Sequence, residues 1–216
     1  MWTKAHLNAR DKHISWNAPS EESGISFEAI TDGVTFQTDP LDRSIEITGP
    51  LATKLFVSSS TSDADFFLTL RAFDTHGKEV DFQGTLDPHT PLSQGWLRAS
   101  HRKLDLKRSK PYRPYHSHDE IQLLKHDQIY ELDVEMWPTC IVLPKSYRLA
   151  LTVQGKDFER SAKEGAFAGT IPYGGSGPFL HHDERDRPEE LFGGKTTLYT
   201  GGKKESFILL PVIPQK

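Results

Sequence analysis

The feature that most restricts this chain is a period of two. In Asp65–Phe73, the side chains of Phe66, Leu68, Leu70 and Ala72 fall on one face, with Thr69 and Arg71 on the other. Tyr130, Leu132, Val134 and Met136 alternate with Glu131, Asp133 and Glu135, and Leu149, Leu151 and Val153 repeat the pattern. Successive side chains of a strand point to opposite faces, so each stretch reads as a strand with one buried side. No segment keeps a helical period for three turns. Many short alternating strands between turn signals predict an all-β, antiparallel β-sandwich. The alternation leaves jelly-roll and Greek-key closure equally open.

The other elements follow in order. Residues 5–8 and 13–16 are short strands about a turn at 9–12. Residues 19–24 are a loop by composition. Val34–Thr38 is a strand broken by Asp39-Pro40. Ile45 and Ile47 open a strand that Gly49-Pro50 bends, and residues 51–58 form a second. Residues 74–78 are a tight hairpin loop in which Gly77 takes positive φ. Residues 79–82 return. Pro138 is expected to end the strand from Tyr130. Residues 158–194 read as ordered irregular structure with a helical turn at 188–192, and residues 196–200 and 207–210 close the chain as strands.

The totals exclude several classes. A chain of 216 residues buries roughly 70% of its unfolded surface and needs no disulfide staple. Cys140 is the single cysteine, so no intrachain disulfide exists, which fits a reducing compartment. A net charge of −4 with mixed signs makes no case for a nucleic acid or anionic membrane partner. No apolar run approaches a membrane span, and the opening MWTKAHLNARDK has no signal core. The expectation is one domain over residues 1–216, cytoplasmic.

Four constellations invite a chemical reading. Gly174-Gly175-Ser176-Gly177-Pro178 approaches a nucleophile elbow, but it lacks the second glycine in register and a strand-turn-helix context, so it reads as a loop. His116-Ser117-His118-Asp119-Glu120 invites a metal. Glu120 falls too close for a cupin and no second motif follows, so hydrogen bonding within a loop packed by Tyr112 and Tyr115 is the better reading. His181-His182-Asp183 is a weaker case of the same kind. Asp63 and Asp65 lack the spacing of a calcium loop and read as a turn. The expectation is no metal and no cofactor.

The stretch GWLRASHRKLDLKRSKPYRPYHSHDE, residues 95–120, is dense in arginine, histidine and aromatic residues. If Leu97 and Ala99 face the core, Arg98, Ser100 and Arg102 share the opposite face, suited to a salt-bridge network or a contact with another domain. A solvated strand face competes evenly. Trp96, Trp137, Tyr112 and Tyr115 make a possible sugar platform, with burial in the core the stronger alternative.

The ordered set GWLRASHRKLD, PYRPYHSHDE and VEMWPTCIVLPKSYRLALTVQGKDFE, with PLDRSIEITGPLATKLFVSSSTSDADFFLTLRAFD upstream and GGSGPFLHHDERDRPEELFGG downstream, resembles the C-terminal domain of X-prolyl dipeptidyl-peptidases and cocaine-esterase-like (CocE/NonD) serine hydrolases. The resemblance runs from about Val34 to Pro214. It implies a jelly-roll sandwich of the galactose-binding-like kind. It implies also that the catalytic serine, aspartate and histidine belong to a preceding α/β-hydrolase domain, absent here, so no catalytic residue maps onto this chain. The implied role is non-catalytic: packing on the hydrolase domain, in cis or in trans, and helping to shape its substrate pocket. The candidate interface is Trp96, Arg98, His101, Arg102, Tyr112, Tyr115 and His118. Self-association into a homo-oligomer is a second possible partnership. A free-standing carbohydrate-binding jelly roll is the alternative, and a histidine-based metalloenzyme a third.

Overall fold

The computed structural model describes residues 1–83, 89–161, 173–174 and 180–214. The strands are β1 (Trp2–Asn8), β2 (His13–Ser15), β3 (Ser23–Glu28), β4 (Val34–Thr38), β5 (Ile45–Ser59), β6 (Asp65–Phe73), β7 (Glu79–Val80), β8 (Ser93–Arg98), β9 (Tyr130–Leu143), β10 (Arg148–Gln154), β11 (Arg160–Ser161), β12 (Tyr173–Gly174), β13 (Lys195–Thr200) and β14 (Phe207–Ile213). Helix is limited, among the described residues, to a 3₁₀ turn at Ala99–His101 and one turn, α1, at Glu189–Phe192.

Twelve strands form one mixed sheet in the order β3-β13-β5-β14-β1-β2-β4-β10-β6-β7, with β8 added to β6 and β9 to β5; β11 and β12 pair separately. The pairings within the large sheet are antiparallel except β2 with β4. That parallel pair departs from the antiparallel sheet expected. The alternation places the core as expected: Phe66, Leu68, Leu70 and Ala72 of β6, Leu132, Val134 and Met136 of β9 and Leu149, Leu151 and Val153 of β10 all lie in one buried cluster.

The sheet also curls until β8 lies along β9. Ser93 Oγ donates to the Trp137 carbonyl at 2.5 Å. A Cβ at Gly95 would stand 2.4 Å from the Glu135 carbonyl oxygen, so only glycine lets the two strands approach this closely.

Three local expectations change. Residues 45–59 form one strand, not two, and β9 runs through Pro138 to Leu143. Gly49 pairs with Thr139 and Leu51 with Met136, so Pro50 faces Trp137 and Pro138 across a bulge. Both prolines lack an N–H, and a bulge is where the ladder asks for none. Residues 25–28, given no element from sequence, belong to β3, which pairs with β13 along its whole length.

Candidate docking surface

β8 ends at Arg98 and the chain turns through the 3₁₀ turn into a long excursion, residues 102–129. Leu97 and Ala99 do face the core. Ser100 is buried, and its N–H donates to Asp63 Oδ1 at 2.9 Å. The alternating strand therefore stops before the face expected of Arg98, Ser100 and Arg102 can form.

Arg98 makes two bonds to Asp65, Nε to Oδ1 at 2.9 Å and Nη2 to Oδ2 at 3.1 Å. It reaches Asp186 at 2.9 Å and lies over the Phe192 ring of α1 at 4.4 Å. The hydrogen bond to Asp65 raises its pKa, and the hydrogen bond from Arg98 lowers that of Asp186. Arg187 approaches Asp65 from the other side, Nε to Oδ2 at 2.8 Å. Its remaining donors reach the His181 and Gly155 carbonyls, and its guanidinium covers Phe67. Asp65 is thus an ion-pair centre fastening residues 181–187 to the outer face of β6, not a turn residue. Asp63 does act within its turn, accepting from the Ala64 N–H at 2.9 Å as well as from Ser100. His181 is held by Asp157, Nδ1 to Oδ1 at 3.0 Å, and Asp183 by Arg185.

Arg102 donates to the Ala99 and Gln122 carbonyls and lies 4.4 Å over the Tyr130 ring, pinning the base of the excursion. His101 and His118 hydrogen-bond each other, Nδ1 to Nδ1 at 3.1 Å, and His116 and His118 rings are 6.1 Å apart. Burial lowers the His116 pKa. Ser117 Oγ donates to Asp119 at 2.5 Å. His118 thus bonds back to the 3₁₀ turn through His101, while the buried His116 Nε2 has no hydrogen-bond partner among the described residues. Among the described residues no group of three or more histidine, cysteine or acidic side chains is arranged to hold a metal ion. Ser176 lies outside the described residues.

The aromatic residues separate into pairs. Trp96 meets Trp137 edge-on at 5.0 Å, and Tyr112 stacks on Trp2 at 4.5 Å and 4°. Tyr115 lies under Arg108 at 3.6 Å. Core burial, the stronger expectation for these rings, is not what the structure shows: Trp96 and Tyr112 are half-buried, and Tyr115 and Trp137 are exposed, Trp137 to 61%. Six large apolar side chains exposed among the described residues come from this one part of the chain: Leu106, Tyr115, Ile121, Leu123, Trp137 and Val142. Sequence reading missed four of them, Leu106, Ile121, Leu123 and Val142. Val142 was hidden because Pro138 seemed to end β9, and the others because a loop has no period to betray exposure.

Residues 16–209 match the model of the X-Pro dipeptidyl-peptidase C-terminal non-catalytic domain. The chain belongs to this family. Its relatives are parts of hydrolases. It is 23% identical to the cocaine esterase of Rhodococcus sp. over 201 residues, 93% of this chain and 29% of that protein. It is 29% identical to a putative serine esterase of Mycobacterium bovis over 129 residues, 57% of this chain and 19% of that protein. The fold matches a CocE/NonD family hydrolase from Staphylococcus aureus with a TM-score of 0.84 at 25% identity, covering 99% of this chain and 36% of that one. The chain thus spans less than a third of the curated relatives' length. An α-amino acid ester hydrolase, with a TM-score of 0.65 at 16% identity, shares the fold.

Proposed function

We propose that this domain packs on the α/β-hydrolase portion of an ester- or peptide-cleaving serine hydrolase, helps wall its substrate pocket and takes no chemical step itself. The observation that carries the reading is the set of exposed apolar side chains along residues 106–142, of which Trp137 meets Trp96, in a family whose members form part of longer hydrolase chains. Scattered apolar residues are ordinary on a surface, but a concentration of aromatic side chains beside arginine has the composition of an interface. Interfaces between domains of one chain bury roughly 600–1,500 Å². In the same reading, residues 1–216 are a single jelly-roll sandwich of the galactose-binding-like kind, the curl of β8 onto β9 supporting closure. Trp96, Tyr112, Tyr115 and His118 remain interface candidates. Arg98, His101 and Arg102 are already engaged within the domain and act by holding the surface in shape.

The test mixes the chain with a separately expressed hydrolase portion from a CocE/NonD relative and follows association and esterase turnover. Association is expected, with turnover carried by the hydrolase portion alone or enhanced by the mixture. Trp137→Ala is expected to weaken binding about tenfold, the effect of truncating an aromatic anchor, with little change in melting temperature. A monomer that ignores the hydrolase portion and is retained by a glycan would overturn the reading in favour of a carbohydrate-binding module.

A further inference from the structure

Residues 103–117 form a closed finger. Leu104 bridges His116, the Asp105 N–H donates to the Tyr115 carbonyl at 2.9 Å, and the Ser117 N–H to the Lys103 carbonyl at 3.0 Å. At the tip Lys110 and Arg113 exchange backbone bonds of 3.0 and 2.9 Å. Asp105 Oδ1 caps the Lys107 N–H at 2.9 Å, and Ser109 Oγ accepts from the Tyr115 N–H at 3.0 Å. The tip is therefore ordered before any partner arrives, which lowers the entropy lost on binding.

Its charge is opposite to that of the molecule. Residues 102–113 hold six cations, Arg102, Lys103, Lys107, Arg108, Lys110 and Arg113, against Asp105 alone, in a chain of net charge −4. Arg102 and Lys103 are engaged, the first by carbonyls and the second by Asp119 and Glu120. Lys107, Arg108, Lys110 and Arg113 are exposed, and among the described residues none of them pairs with a carboxylate. Leu106, 82% exposed, stands among them, and Arg108 is presented on the Tyr115 ring. Arginine, tyrosine and a bare leucine on a rigid projection match the chemistry of a protein contact better than that of a polyanion, which needs only charge.

The finger also lies beside the start of the first strand, because Tyr112 stacks on Trp2 of β1. In relatives where the domain is C-terminal, the rest of the hydrolase precedes this point. We infer that the finger is a docking element whose occupant is an acidic patch on the hydrolase portion, closed around Leu106 by Lys107, Arg108, Lys110 and Arg113. This rests on the packing role proposed above and assigns it a surface and a chemistry. The finger's charge steers encounter and sets register, and Leu106 and Tyr115 supply the buried contact.

The experiment measures binding of the intact chain to the hydrolase portion of a CocE/NonD relative at about 50 mM and about 500 mM salt, where screening lengths differ several-fold. The combined variant Lys107→Gln, Arg108→Gln, Lys110→Gln, Arg113→Gln is expected to bind at least tenfold more weakly at low salt and to lose most of the salt dependence. Lys107→Glu with Lys110→Glu, which touches neither Tyr115 nor the tip's backbone bonds, should do the same at unchanged melting temperature. Lys78→Gln with Lys145→Gln, exposed cations elsewhere, should leave affinity as it was. If the wild-type chain binds and the finger variants bind equally well, the finger assignment is wrong and the packing role stands. If the wild-type chain does not bind, both are wrong.

Discussion

Asp65 shows how one side chain sets local stability. It takes bonds from Arg98 and Arg187, and its side chain and that of Arg187 are 8% and 6% exposed. Removing one partner of a buried pair strands the other's charge at a loss of about 3–5 kcal/mol. Asp65→Ala is expected to lower unfolding free energy by about 3 kcal/mol, read as a shift in urea midpoint. An unchanged midpoint would show that Arg187 is carried by its carbonyl partners alone. A second residue-scale outcome concerns pH. Burial lowers the His116 and His6 pKa values below the ordinary 6.5. The unfolded chain then takes up protons near 6.5 that the folded chain refuses, so stability is complete above that value and falls as pH drops through the lowered folded values. The melting temperature should therefore decline between pH 7 and pH 5, and His116→Gln should flatten the decline. Asp186, held below its ordinary 3.8 by Arg98, works in a lower window: its contribution is present above 3.8 and lost as pH falls further. None of these pairings was visible in sequence, because Arg187 is 122 residues from Asp65 and periodicity does not report contacts between distant residues.

At the scale of elements, the contact of β8 with β9 is sensitive to a single atom. Gly95→Ala sets a methyl 2.4 Å from the Glu135 carbonyl oxygen, a backbone atom that cannot turn aside, and 2.8 Å from Met136 Cγ of the side chain. Overpacking of this kind is expected to remove about 3 kcal/mol, and a crystal structure of the variant should show β8 moved off β9 with Trp96 and Trp137 no longer edge-on. β4, β6 and β10 were legible because core residues recur at every second position, although only β4 leaves its other face partly open while β6 and β10 are buried on both faces along most of their length. β3 was hidden because its apolar content is Ile25 and Phe27 alone, after a loop-like beginning at Ser23-Gly24. Pro138 misled for a physical reason: proline stops a ladder only where an N–H is required, and opposite Pro50 none is. The candidate surface was half legible. Residue type marked Trp96, Tyr115 and Trp137 as unusual, but whether a ring faces the core or the solvent depends on what the other strands cover.

Across the whole molecule, the two ends of the described chain are neighbours. β1 pairs with β14, Trp2 facing Pro211 and His6 facing Phe207, and its other edge pairs with β2. β1 is therefore an interior strand of the large sheet. Deleting residues 1–8 is expected to abolish a single cooperative melting transition and expose β14 as an apolar edge prone to association, measured by calorimetry and light scattering. Retention of a sharp transition would show that the remaining strands close without it. The same pairing has a consequence for how the protein is made. A ribosome makes β1 about two hundred residues before β14, which at roughly 5–20 residues per second is ten seconds or more of synthesis. Throughout that interval β1 has β2 on one side and nothing on the other. The sheet completes only once β14 has left the exit tunnel, so products of translation interrupted before β14 carry an open edge that the completed sheet never shows.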